Sequence, residues 1–350
     1  METTTQPKEL SALSASKVKT LENCSWLYWC NYHLRIPQAK NEGSCKGEVC
    51  HWMFETLLNK KHKSKVDKII KDGTNAAVPA IWRLLQWYIK RANLPNTQTI
   101  LTHIDQMILV GLKNDFYVNG GQILAPEYKF DLIKPQFRIK GFMDKPSIKG
   151  DTLLIEDYKS SKMKFKGEDE ESNMQALMYS YAAKQIWPNL KPVVRFVFLQ
   201  FPEDPVMEVS FSDDTLAGFE LFLGNVQKRV QMFNEFSAKS AFAADQQPHD
   251  DGFNGKLLCG FAKSPTELKK DGTKKWHCAY RFSFDYWVVK KDNKILYSVL
   301  EEKDLKPLSR GEIVEKLHYN GCPRHVNACD FISKAKVAPI KRNANPFDDF

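Results

Sequence analysis

Apolar residues recur at helical spacing through the first third of the chain, then switch to strand-like runs. After a lead at residues 1–12, Ser14 or Ser16 can cap a helix carrying VKTLENCSWLYWC. A loop spans Arg35–Gly43, and a second helix is expected from about Gly47 to Asn59. AAVPAIWRLLQWYIKRA and TQTILTHIDQMILVGLK read as two further amphipathic helices, and DFYVNGG ends that pattern. ILAPEYKFDL, QFRIKGFMDKPSI and TLLIEDYK then read as strands joined by short turns such as IKGD. The helix SNMQALMYSYAAKQIW, the strands VVRFVFLQF and VMEVSF, and a long helix over about 214–237 follow. Residues 240–280 lack periodicity and read as an insertion. YWVVKKDNKILYSVL reads as a hairpin turning at KDNK, and SRGEIVEKLHY as a short capped helix.

This order predicts an α/β (α+β) protein with a helical N-terminal section at 13–121 and a core at 122–240. A cysteine-containing section with a hairpin follows at 241–332, then a disordered tail at 333–350. Hydrophobic residues make up 43% of the chain, enough for a substantial core and too many for a disordered protein. The formal net charge of +9 favours a polyanionic partner without proving one. Six lysines against one aspartate between Lys60 and Lys71 form either a solvated helix face or a phosphate-contacting one. The chain has no apolar run of about 18 residues, so no membrane partner is expected. Its opening METTTQPKEL lacks the layout of a secretory signal, so an intracellular, cytoplasmic location is expected.

Charge at the end of an apolar strand needs a reason. In LLIEDYKSSK, side-chain alternation puts Asp157 and Lys159 on one face with Leu153 and Ile155, and turns Glu156 and Tyr158 to the other. Antiparallel pairing across IKGD would bring Asp144 of GFMD close to Asp157, with Glu127 of PEYKF on the strand before. Three carboxylates on neighbouring strands can hold a hard divalent cation, and a lysine beside them can position a water. The same residues are equally solvated strand ends with ordinary ion pairs. Gln175 and Tyr179 are four apart on the next helix and share a side that could meet a nucleic-acid backbone; the alternative is a helix shoulder.

GFMD, IEDYKSSK and QALMY, in that order, resemble the PD-(D/E)xK nuclease superfamily, and in particular its RecB-like branch. LSASKVKTLENCSWLYW, GEVCHWMFETLL and PEYKF resemble the branch's upstream segments, so the likeness covers roughly residues 11–201. The resemblance implies a restriction-endonuclease-like core, a central mixed sheet flanked by helices. It implies that Asp144 and Asp157 ligate Mg²⁺ or Mn²⁺, that His51 and Glu127 complete or support the site, and that Lys159 is the catalytic lysine. It assigns Gln175 and Tyr179 to the DNA path. Lys162, Lys164 and Lys166 follow in a loop that could track phosphates or simply be solvated. The implied activity is a metal-dependent deoxyribonuclease, an exonuclease of replication, recombination or repair. A non-catalytic nucleic-acid-binding scaffold on the same fold and an RNA-directed endonuclease remain the alternatives.

Many RecB-like nucleases hold an iron–sulfur cluster with one upstream and three downstream cysteines. By that resemblance Cys24, Cys278, Cys322 and Cys329 are candidate [4Fe-4S] ligands. A Zn²⁺ ion on Cys322, His325 and Cys329 with Cys259 or Cys278 is a second reading, and ordinary buried thiols a third. Cys30, Cys45 and Cys50 read as structural. The terminal NPFDDF resembles acidic, aromatic-ended docking tails, here for a replication or recombination protein, or has no role.

Overall fold

The computed structural model describes residues 10–166, 172–242 and 278–324. Cys259, His325, Cys329, most of the expected insertion and the tail therefore lie outside the described residues. The chain divides into two compact units, one formed by residues 1–18 and 40–232 and the other by 19–39 and 233–350.

In the first unit four helices precede the sheet: α3 (Glu42–Leu57), α4 (Lys63–Asp72), α5 (Pro79–Arg91) and α6 (Gln98–Lys113). Earlier in the chain, α1 (Ala15–Asn23) is divided between the units and α2 (Ser25–Tyr28) belongs to the second. Helix α3 starts five residues earlier than the apolar pattern suggests, because Asn41 caps it by accepting from the Ser44 N–H at 2.8 Å. The strands are β1 (Gln122–Ile123), β2 (Tyr128–Ile133), β3 (Arg138–Met143), β4 (Lys145–Lys149), β5 (Thr152–Lys159), β6 (Lys191–Phe198) and β7 (Val206–Val209). Helix α7 (Met174–Ile186) joins β5 to β6, and α8 (Asp213–Gln231) follows β7. The sheet runs β1-β4-β5-β6-β7, with β5 and β6 parallel and the other pairs antiparallel, while β2 and β3 form a separate hairpin. This is the mixed sheet flanked by helices that the sequence resemblance implies.

Two expected strands are each broken in two, and both breaks form the candidate site. ILAPEYKFDL stops at Pro126–Glu127, where Glu127 adopts φ +49°, a left-handed conformation that ends pairing. QFRIKGFMDKPSI splits at Asp144: β3 pairs with β2, and β4 turns away to pair with β5. Strand β5 is buried on both faces. Tyr158 joins the core of α3–α6 together with Val197 and Leu199, while Asp157 meets Gln175 of α7. The helix expected over 214–237 also breaks, because Asn234 caps a new short helix α9 (Glu235–Ala238).

The second unit contains an antiparallel sheet β10-β8-β9, made of β8 (Phe284–Lys291), β9 (Lys294–Val299) and β10 (Glu312–Tyr319). The sequence reading of SRGEIVEKLHY as a helix is incorrect. Pairing with β8 along its whole length overrides the local pattern, and Lys290–Glu315 (2.5 Å) and Lys316–Asp285 (2.9 Å) ion pairs tie the two strands. None of the described helices is long and apolar enough to cross a membrane.

Candidate metal centre and its lysine

The register of β4 on β5 builds the site. Lys145 lies opposite Glu156, so their chain neighbours Asp144 and Asp157 come together on the sheet's other face. Lys145 and Glu156 are fully buried and form an ion pair, and the Lys145 ammonium also donates to Phe116 O at 3.0 Å. Glu156 therefore faces away from the site, and a slip of one residue would exchange the two charged pairs. The backbone N–H of Tyr158 donates to Asp144 Oδ2 at 3.0 Å, and the Glu127 N–H donates to Asp144 O at 2.9 Å.

His51 comes from α3. A Cβ on Gly47 would lie 2.6 Å from Ser160 Oγ, so with Ser160 in place glycine lets this helix approach the loop after β5 so closely. One turn on, His51 Nε2 lies 3.1 Å from Tyr158 O. A carbonyl can only accept, so Nε2 carries a hydrogen and a neutral ring presents the Nδ1 lone pair. That nitrogen faces Asp144 Oδ2 at 3.3 Å and Glu127 Oε1 at 3.9 Å. A lone pair aimed at two carboxylates is repulsive unless a proton or a metal cation stands among them. Ligand atoms of His51, Glu127 and Asp144 lie within 4.8 Å of one another. Burial and then the Asp157 charge hold the Asp144 carboxyl well above its ordinary range. Burial also raises Glu127, with His51 opposing. Carboxylate oxygens with one imidazole nitrogen are a fitting donor set for a divalent cation, which would relieve that repulsion.

Asp157 is 2% exposed and is held from the helix side. Its Oδ1 accepts from Gln175 Nε2 at 2.7 Å and from Tyr179 OH at 3.4 Å. Its Oδ2 lies 2.6 Å from Lys159 Nζ but makes no hydrogen bond of good geometry. Gln175 ties the group together: its Oε1 accepts from Lys159 Nζ at 2.6 Å, and its Nε2 also donates to Tyr179 OH at 2.7 Å. Tyr179 is 5% exposed, with its ring edge-on to Phe130, so it backs the carboxylate and does not line an open path as the sequence reading had it. A Cβ on Gly141 would strike that same Phe130 ring at 2.6 Å, which explains the glycine of GFMD. Lys164 pairs with Asp204 at 2.6 Å, and Lys162 is exposed. The sequence reading missed the buried Lys145–Glu156 pair. The lysine after Asp144 was its only trace.

In the second unit Cys24 and Cys30 are buried, and Cys278 and Cys322 are partly buried. Burial pushes the Cys30 thiol up, its hydrogen bond with Tyr319 opposes this, and Cys278, Cys322 and Cys24 add smaller upward contributions. Cys30, a structural thiol by the sequence reading, is fully buried. It is also 3.7 Å from Tyr319 OH, which accepts from Trp26 Nε1 at 2.8 Å and donates to Tyr280 O at 2.9 Å.

A family model described as the PD-(D/E)XK nuclease superfamily matches residues 12–261. No match was found among curated proteins.

Proposed function

The chain belongs to the PD-(D/E)XK nuclease superfamily, and on that premise we propose that it is a metal-dependent deoxyribonuclease of the RecB-like branch, acting as an exonuclease in replication, recombination or repair. The observation that carries the catalytic part is the single constellation of Asp144, Glu127 and His51 beside the Asp157–Lys159–Gln175 network. The preference for DNA and for chain ends comes from the sequence resemblance.

In this reading Asp144, Glu127 and His51, with Asp157, would hold Mg²⁺ or Mn²⁺. When bound, the cation would supply positive charge against the phosphate and lower the pKa of water. Water oxygen forms the new bond to phosphorus, the bond to the leaving sugar oxygen breaks, and the proton ends on that oxygen. The Lys159 ammonium, 2.6 Å from both Asp157 Oδ2 and Gln175 Oε1, orients the attacking water and offsets charge gathering on the phosphoryl oxygens. Gln175 and Tyr179 position the lysine and the carboxylate. Exposed Lys162 tracks the phosphate backbone, and Lys164 joins it once freed from Asp204.

A [4Fe-4S] cluster would be held by Cys24, Cys278, Cys322 and Cys329, and a Zn²⁺ ion by Cys322, His325 and Cys329 with Cys259 or Cys278. Iron and zinc analysis of anaerobically purified protein, with an absorbance scan near ~400 nm, separates the two. The NPFDDF tail is carried forward as a docking peptide for a replication or recombination protein. Intracellular, cytoplasmic action is part of the same proposal.

The test is incubation with end-labelled linear and circular DNA, single- and double-stranded, and with RNA, in Mg²⁺, Mn²⁺ or EDTA. Loss of linear DNA alone, only with metal, supports the proposal. Cleavage of circles refutes the exonuclease part, cleavage of RNA alone refutes the DNA assignment, and no cleavage refutes the activity.

A further inference from the structure

The cavity lined by His51 and Glu127 is also lined by Trp52, which begins a chain of aromatic and cationic groups leading away from the candidate metal centre. The Arg91 guanidinium lies over the Trp52 ring at 4.5 Å and over the Trp87 ring at 5.6 Å. Tyr88 fills the inner side, with ring centroids 5.5 Å from Trp52 and 5.1 Å from Trp87. Its hydroxyl is fixed against Thr56 Oγ1 at 2.9 Å. Trp87 is 54% exposed, an unusual position for the largest apolar side chain. It also lines a second hollow, with Gln86, Lys90, Asn93, Pro95 and Asn96, that contains no acidic residue. Among the described residues no ion pair neutralises Arg83, Lys90 or Arg91.

We propose that Trp87 and Arg91 form a single-strand subsite, in which an unstacked nucleobase lies on the exposed face of Trp87 while Arg91 and Lys90 hold its phosphates. The physical reasons are three. An exposed indole held rigid by Tyr88 and Arg91 is a stacking platform that needs no ordering on binding. Unpaired cations beside it match a polyanion and release its counterions. Duplex bases are already stacked on each other, so only a single-stranded stretch can offer a base to Trp87. Continuity through Trp52 places the subsite on the path of the strand entering the His51–Glu127 cavity. This deepens the nuclease reading and rests on it.

The test uses the full chain in EDTA, so that binding is read without cleavage. Fluorescence anisotropy is measured with labelled oligothymidylate, oligouridylate and a DNA duplex, for wild type, Trp87→Ala, Trp87→Phe and Arg91→Ala. Trp87→Ala is expected to weaken oligothymidylate binding about tenfold, with Trp87→Phe recovering most of it and duplex binding unchanged. Arg91→Ala is expected to lower the salt slope by about one phosphate contact. Equal loss on oligouridylate shows that the subsite reads the base face and not the sugar. Wild-type affinity in Trp87→Ala overturns the proposal, as does an equal loss on duplex and single strand that Trp87→Phe does not rescue. Wild-type cleavage with Mg²⁺ or Mn²⁺ is run in parallel. Cleavage together with unaltered Trp87→Ala binding removes the subsite and leaves the nuclease, whereas a wild type that neither binds nor cleaves removes both.

Discussion

Lys145→Met isolates what the buried ion pair does for the fold beneath the site. Both partners are fully buried. Without the ammonium, Glu156 keeps only the Arg195 guanidinium nearby, 3.9 Å away and partly exposed. Removing one partner of a buried pair costs about 3–5 kcal/mol. The cost depends on pH in a defined direction. Burial raises the Glu156 carboxyl, with Lys145 pulling it back down, so in the variant it rises further. A carboxyl whose folded pKa is raised leaves stability untouched below its unfolded value and lowers it as pH climbs from there toward the folded value. The slope is about 1.4 kcal/mol per pH unit, so a cost of 3–5 kcal/mol needs roughly two to four units to develop. Urea unfolding of the full chain at about pH 5, 6.5 and 8 should therefore show a small variant-minus-wild-type difference at the acid end and a growing one above it. Adding Glu156→Leu to Lys145→Met should restore most of the loss and flatten the curve, because an apolar pair has no charge to desolvate. A difference that is flat across pH, or below about 1 kcal/mol throughout, would mean that Glu156 carries no uncompensated buried charge in the variant.

Other consequences are open to direct measurement. Gln175→Leu removes the amide that joins Lys159 to Asp157, and should lower kcat about 10- to 100-fold when assayed well below the variant's own melting temperature, which should fall because Asp157 and Tyr179 lose a buried partner. Gly47→Ala puts a methyl 2.6 Å from Ser160 Oγ, so cleavage should need more metal, and Gly47→Ala with Ser160→Ala should recover, as read by Mn²⁺ titration of activity. Tyr319→Phe strands the Trp26 indole N–H and Tyr280 carbonyl, and should cost about 1–3 kcal/mol in thermal unfolding. Cys322→Ser should abolish bound iron or zinc, whereas Cys50→Ser should leave it intact, as read by metal analysis.

The stretch LLIEDYKSSK shows how far sequence reaches. Alternation along a strand separates Asp157 from Glu156, and the structure has the two on opposite faces. It also has Asp144 beside Asp157, because pairing across IKGD is a local matter of turn and register. What alternation does not carry is the partner of Glu156, since a buried lysine looks like any surface lysine in KPSI. The breaks at Glu127 and Asp144 were equally hidden: each depends on which strand claims the flanking residues. The same holds for β10, whose helix-like spacing yields to pairing with β8. Gln175 and Tyr179 were found at the right helical spacing, but their burial against Asp157 depends on how α7 is seated on the sheet.

In the proposed reaction Asp157 and Lys159 carry metal-dependent phosphodiester cleavage. The direct measurement is cleavage of end-labelled linear DNA by wild type, Asp157→Ala and Lys159→Ala, titrated with Mg²⁺ and Mn²⁺ and checked for equal thermal unfolding. Cleavage by wild type should be abolished by EDTA, and both folded variants should lose at least about 100-fold. Metal-independent cleavage, or wild-type rates in either variant, would contradict it.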